Sequence, residues 1–141
     1  MPDHAGQEKA TDLRQREKRV AIVTGGGREI GRSMVLGLVR AGVHVIATAG
    51  REQSEVEAIA REAEAEQSNA PATVVPLVAD VTKASDCEIV LDAAAKRFGR
   101  LDILVNNAGR GMKYVSDAFM TKPARFWEIS PETWRLIVTR T

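Results

Sequence analysis

The chain carries a single cysteine, Cys87, in 141 residues. An internal disulfide and a cysteine-based metal cluster are therefore both excluded. That usage fits a reducing, cytoplasmic setting. The two histidines, His4 and His44, lie far apart in sequence and make a poor basis for a metal site. No run of about 18 apolar residues occurs, which argues against a membrane-spanning helix. Net charge is +1, so nothing global points to nucleic acid or an anionic membrane surface as a partner. The start of the chain lacks the apolar stretch of a secretory signal. It mixes the acids Asp3, Glu8, Asp12 and Glu17 with the bases Lys9, Arg14, Arg16, Lys18 and Arg19, whereas a transit peptide avoids acids. Residues 1–18 read as a solvated arm and residues 19–141 as one domain. An apolar share of 44% is enough for a core.

What is present is an alternation of strand and helix signals. Val20 to Thr24, Val43 to Ala49, Thr73 to Ala79 and Leu101 to Val105 are short apolar runs of the kind buried on both faces of a sheet. Pro76 inside the third run argues for an edge position, because proline cannot donate to the ladder. Between the runs, Ile30, Met34, Leu38 and Ala41 recur at helical spacing and Gly42 closes that helix. Ser54 to Glu57 and Ser85 to Glu88 match the capping box. Val56, Ile59, Ala60 and Ala63 form one apolar face, and Cys87, Val90 or Leu91, Ala94 and Phe98 form another. Ser68-Asn69-Ala70-Pro71 breaks the second helix, and Gly99 ends the third. A loop from Asn106 to about Ile129 leads to Ser130-Pro131, a cap followed by a first-turn proline. This order predicts an α/β fold: a Rossmann-like, doubly wound parallel sheet of about four strands, with helices on both faces.

Ligands of such sheets bind beyond the carboxyl ends of the strands. Those ends carry Thr24 to Gly31, Ala49 to Arg51, Asp80-Val81 and Asn106 to Gly109. The first is a glycine turn opening a helix, which presents bare backbone N–H groups to a phosphate. The glycines can equally make a simple turn, Asp80 can cap the turn after it, and Asn106 and Asn107 can be turn residues. No Gly-Lys-Ser/Thr follows the loop, which disfavours a P-loop protein. Tyr114, Phe119, Phe126 and Trp127 read as loop packing, with a substrate pocket as the second reading.

Thr24-Gly25…Ile30-Gly31, Asp80-Val81 and Asn106-Asn107-Ala108-Gly109 together resemble the N-terminal half of the short-chain dehydrogenase/reductase family, over roughly residues 18 to 138. The resemblance implies a dinucleotide site made by Gly25, Arg28, Ile30, Gly31, Arg51, Asp80, Val81, Asn107, Ala108 and Gly109. In the family the aspartate equivalent to Asp80 contacts the adenine edge, and the Asn-Asn-Ala-Gly stretch both stabilises the central sheet and lies beside the cofactor. It implies an oxidoreductase acting on a carbonyl or alcohol, and possible oligomers through the helix that begins near Ser130. NAD-binding sheets place a carboxylate at the end of the second strand. Here Thr48-Ala49-Gly50-Arg51 has none, and Arg51 and Arg28 can each pair a 2′-phosphate, so NADP is expected over NAD. The plainer reading of Arg51 is that it opens a solvated helix.

Two departures bear on activity. The family pattern is Thr-Gly-x-x-x-Gly-x-Gly, and Glu29 stands at its middle glycine. A carboxylate there meets the pyrophosphate with like charge, worth about 1 kcal/mol near 4 Å in water and about 4 at an effective dielectric of 20. The family also uses a serine, a tyrosine with a lysine four residues on, and a helical asparagine. Tyr114 is the one tyrosine, and Ala118 stands four residues on. The asparagine position falls on Thr141. The chain therefore reads as truncated before its catalytic set, with no catalytic residue to assign. The alternative function is a non-catalytic nucleotide-binding or interaction half-domain.

Overall fold

A computed structural model of the chain describes residues 18–66, 72–111, 113 and 115–139. The expected arm, the Ser68 to Pro71 break, Tyr114 and Thr141 lie outside these, the arm except for Lys18. Four strands form one parallel sheet: β1 (Val20–Val23), β2 (His44–Ala49), β3 (Val74–Val78) and β4 (Ile103–Val105), in the order β3-β2-β1-β4. Val20 pairs with His44, Ile22 with both Ile46 and Leu104, and Val45 with Val74. Pro76 sits on edge strand β3, opposite Ala47, as its missing donor requires.

The continuous apolar runs follow from burial on both faces. Ala21 and Val23 face one side with Val45, Ala47 and Val74, where the helices α1 (Glu29–Arg40) and α2 (Gln53–Glu66) cover them. Ile22 and Ile46 face the other, under α3 (Ala84–Phe98) with its buried Val90 and Ala94. His44 belongs to this packing: it is 3% exposed, stacks on Phe98 at 4.7 Å and accepts the Thr73 N–H at Nδ1, 2.9 Å away. A last helix, α4 (Pro131–Val138), follows a 3-10 turn at Phe126–Glu128. Its cap is as expected: the Ser130 hydroxyl accepts the Thr133 N–H, and Pro131 takes the first turn. None of its residues is buried.

Three expectations need correction. The buried face of α1 is Gly31, Val35, Leu36 and Val39; Ile30 and Met34 are exposed, and Leu38 is only partly buried. The helix is rotated because Gly31 must press against the glycine loop, and Val35 and Val39 follow it at i+4 spacing. Both capping boxes are displaced. Helix α2 begins at Gln53, one residue before Ser54, and the Gln53 side-chain amide donates to Glu57 at 2.5 Å. Helix α3 begins at Ala84 after Lys83, which makes no side-chain cap, and Ser85 donates to Asp86 instead. Phe126 and Trp127 pack edge to face at 5.0 Å with Arg125 over the indole, yet both stay more than half exposed, so the aromatic loop cluster does not bury itself. Gly42 and Gly99 do end their helices in left-handed conformations.

Candidate functional site

The carboxyl ends of the strands bring the glycine loop and the Asn-Asn-Ala-Gly stretch together. Thr24 is the hub. Its N–H donates to the Val105 carbonyl at 3.1 Å and its hydroxyl donates to the same oxygen at 3.2 Å. That hydroxyl also accepts the N–H groups of Asn107 and Ala108, at 3.1 and 3.0 Å. The Asn107 amide returns the tie, donating to the carbonyls of Thr24 and Gly25 at 3.1 Å each. Six polar contacts thus fix the β1–α1 turn to the end of β4. Asn107 serves as a structural clamp at the site's floor. Thr24 was part of the sequence motif but carried no assigned role; a hydroxyl next to the first glycine was the available signal.

Two glycines are required by contact rather than by habit. A Cβ on Gly31 would stand 2.1 Å from the Gly25 carbonyl oxygen and 2.5 Å from the Asn107 amide nitrogen. Gly25 has φ +66° and lies against the Ala108 Cα. The loop therefore keeps its backbone open at the start of α1, a cradle that side chains would fill. Glu29 breaks the pattern. It opens α1 at φ 48°, the only non-glycine residue with positive φ among the described residues, and its side chain is exposed. The position demands a glycine's conformation and holds a glutamate.

The remaining candidates follow the carboxyl ends of the strands or stand at the start of α1. Ile30 is 67% exposed at the start of α1, an apolar surface beside the loop. Arg28 points from the loop to Glu55 on α2, its Nε 3.2 Å from a carboxylate oxygen. Arg51 is exposed after β2. Asp80 folds back on its own turn: one carboxylate oxygen accepts from both the N–H and the hydroxyl of Thr82, at 3.1 and 2.7 Å, and the Asp80 N–H donates to Asp86. Its turn-capping role is thus realised. Val81, Thr24 and Ala108 border a cleft of about 390 Å³ that reaches down to Thr48 and Val90. The Thr48 hydroxyl is buried there without a hydrogen-bond partner. Gly109 is exposed beyond Ala108. Cys87 is a partly buried free thiol, its sulfur 3.7 Å from the Val81 carbonyl. No cluster of metal-ligating side chains occurs among the described residues, and no described helix is long and apolar enough to cross a membrane.

The glycine frame fits a dinucleotide: the Gly31 and Gly25 contacts leave the backbone bare at a helix N-terminus, where a pyrophosphate is held. Gly25, Ile30 and Gly31 would take the phosphates, Arg28 and Arg51 a 2′-phosphate, and Asp80, Val81 and Asn107 to Gly109 the nucleoside ends.

Comparison with known proteins agrees with this geometry. The short chain dehydrogenase family model matches residues 19–140. The short chain dehydrogenase tazN of Aspergillus terreus is 38% identical over 110 residues, 77% of this chain and 23% of that protein. The 11-beta-hydroxysteroid dehydrogenase A of Sesamum indicum is 42% identical over 91 residues, 64% of this chain and 25% of that protein. An actinorhodin polyketide ketoreductase, solved with NADPH as its F189W variant, superposes with a TM-score of 0.72 at 26% identity, over 89% of this chain and 42% of that one. A metagenomic short-chain oxidoreductase solved with NADP gives 0.69 at 26% identity, over 86% and 48%. The chain thus spans 23% to 48% of the length of these relatives. With the family model matching residues 19–140, the chain belongs to the short-chain dehydrogenase/reductase family.

Proposed function

We propose that these residues form the cofactor-binding half of an NADP(H)-dependent oxidoreductase that interconverts a small-molecule carbonyl and alcohol in the cytoplasm. The observation that carries the reading is the clamp between Thr24, Asn107 and Ala108, which holds two strand-end stretches around one bare helix N-terminus. Bound NADP(H) supplies or accepts the hydride. The chain's own residues bind and orient it: the Gly25 to Gly31 backbone at the pyrophosphate, and Arg28 and Arg51 at the 2′-phosphate. The absence of a carboxylate between Thr48 and Arg51 supports NADP over NAD. The partly buried free Cys87 accords with a reducing compartment. Leu104 on β4, an edge strand among the described residues, and Trp134 and Val138 on α4 are more than half exposed and favour association with a second copy.

A second reading rests on a different observation. Tyr114 is the one tyrosine, and no lysine follows it at the fourth position, so these residues lack the tyrosine–lysine pair that would protonate a carbonyl at neutral pH. On this reading they bind nucleotide without turning it over. Isothermal titration of NADPH and NADH tests the binding. Loss of NADPH absorbance with a panel of aldehydes and ketones separates the two readings: turnover refutes the inert half-domain, and binding without turnover supports it. Absence of binding by either nucleotide refutes both as stated.

A further inference from the structure

We infer that Glu55 is a positioning residue for cofactor choice, acting through Arg28. The inference rests on the NADP(H) reading above and adds a residue to it. Arg28 reaches Glu55 through Nε, at 3.2 Å, while its side chain is 74% exposed and that of Glu55 only 23%. A guanidinium held at Nε keeps its two terminal nitrogens for another acceptor, and that face matches a phosphate with two parallel hydrogen bonds. The holder is itself fixed. A Cβ on Gly27 would fall 2.8 Å from the Glu55 Cβ, so the first turn of α2 lies directly against the glycine loop. Glu55 therefore has little room to follow Arg28 elsewhere. An unheld arginine on this loop would sample many rotamers and lose that freedom on meeting a 2′-phosphate.

Ordering one long side chain in advance is worth roughly threefold to tenfold in affinity. The advantage applies to NADPH and not to NADH, which has no 2′-phosphate for Arg28 to meet. Positioning also separates orientation from charge. Glutamine at the same position still accepts from Nε, whereas alanine does not.

The test is the ratio of NADPH to NADH affinity, measured by titration on the full chain. Glu55→Ala is expected to lower that ratio about threefold to tenfold, and Glu55→Gln to restore it to within about twofold of the wild type. In an Arg28→Ala background, Glu55→Ala is expected to leave the ratio unchanged. Glu62→Ala breaks the Arg32–Glu62 pair, which joins α1 to α2, and is expected to leave the ratio alone. An unchanged ratio in Glu55→Ala, with the wild type still binding, overturns the inference and spares the cofactor reading. A raised ratio overturns it too, because Glu55 then competes for Arg28. An equal shift in Glu62→Ala marks a merely structural effect and is equally fatal. If the wild type binds neither nucleotide, the cofactor reading falls and the inference falls with it.

Discussion

Replacing Glu29 by glycine is expected to raise both stability and NADPH affinity, and the two gains have separate origins. At φ 48° the glutamate occupies the left-handed region, which costs an L-residue about 1–2 kcal/mol. Glycine relieves that strain but returns about 0.4–1 kcal/mol through the greater freedom of its unfolded chain. The net is a stabilisation of about 0.5–1 kcal/mol, or about 3 °C in melting temperature for a domain of this size. The affinity gain comes from charge. An exposed carboxylate about 4 Å from a phosphate is repelled by about 1 kcal/mol in water, more where water is excluded, so removal tightens NADPH about fivefold to tenfold. Glu29→Gln separates the two: it keeps the strained backbone and removes the charge, so affinity should rise while the melting temperature stays put. Titrations at low and high salt add a check, since at 1 M the screening length is about 3 Å and the charge-dependent part must shrink. Equal NADPH affinity in wild type, Gln and Gly variants would refute the electrostatic argument. A melting temperature for Glu29→Gly at or below that of the wild type would refute the strain argument.

Three further substitutions probe the frame. Gly31→Ala forces a Cβ onto the Gly25 carbonyl and the Asn107 amide, and should cost about 3 kcal/mol by urea denaturation. Thr48→Val removes a buried hydroxyl that has no partner and should stabilise the fold by about 1 kcal/mol, read as a higher urea midpoint with an unchanged slope; a destabilisation would show that the hydroxyl is satisfied. Asp102 is held below the usual carboxylate range by the Arg100 guanidinium and then by the Val20 N–H, 2.8 Å away. A carboxylate with a lowered folded pKa contributes stability that is complete above its unfolded value, near 4, and is lost as pH falls through the folded one. The melting-temperature gap between wild type and Asp102→Asn should therefore be constant above about pH 5 and close on further acidification.

The sheet was legible because burial on both faces leaves no choice of residue: Val20–Val23 and His44–Ala49 are apolar throughout, apart from His44 and Thr48, and Pro76 announces its edge. The face of α1 was not legible. Ile30 and Met34 are as apolar as Val35 and Val39, and only the contact of Gly31 with a loop and a distant asparagine decides between them. Capping serines were misplaced by two residues because Gln53 and Ala84 join their helices without a side-chain signal. The site's glycines and asparagine stand at strand ends as expected. The Arg28–Glu55 pair could not be read, since it joins two elements that meet only after the sheet forms.

The clamp has a consequence for the order of folding. Thr24 is tied to residues 81 to 84 positions further on, so the turn that appears most local in the sequence is shaped by one of the most distant contacts in the domain. Closing so long a segment is slow compared with forming a helix or a neighbouring β-α-β unit. During synthesis the β1–α1–β2 unit can assemble while the glycine turn is still without its partner, and the turn acquires its final shape only once β4 has emerged and docked. Substitutions at Thr24 or Asn107 should thus speed unfolding more than they slow folding, the signature of contacts made late.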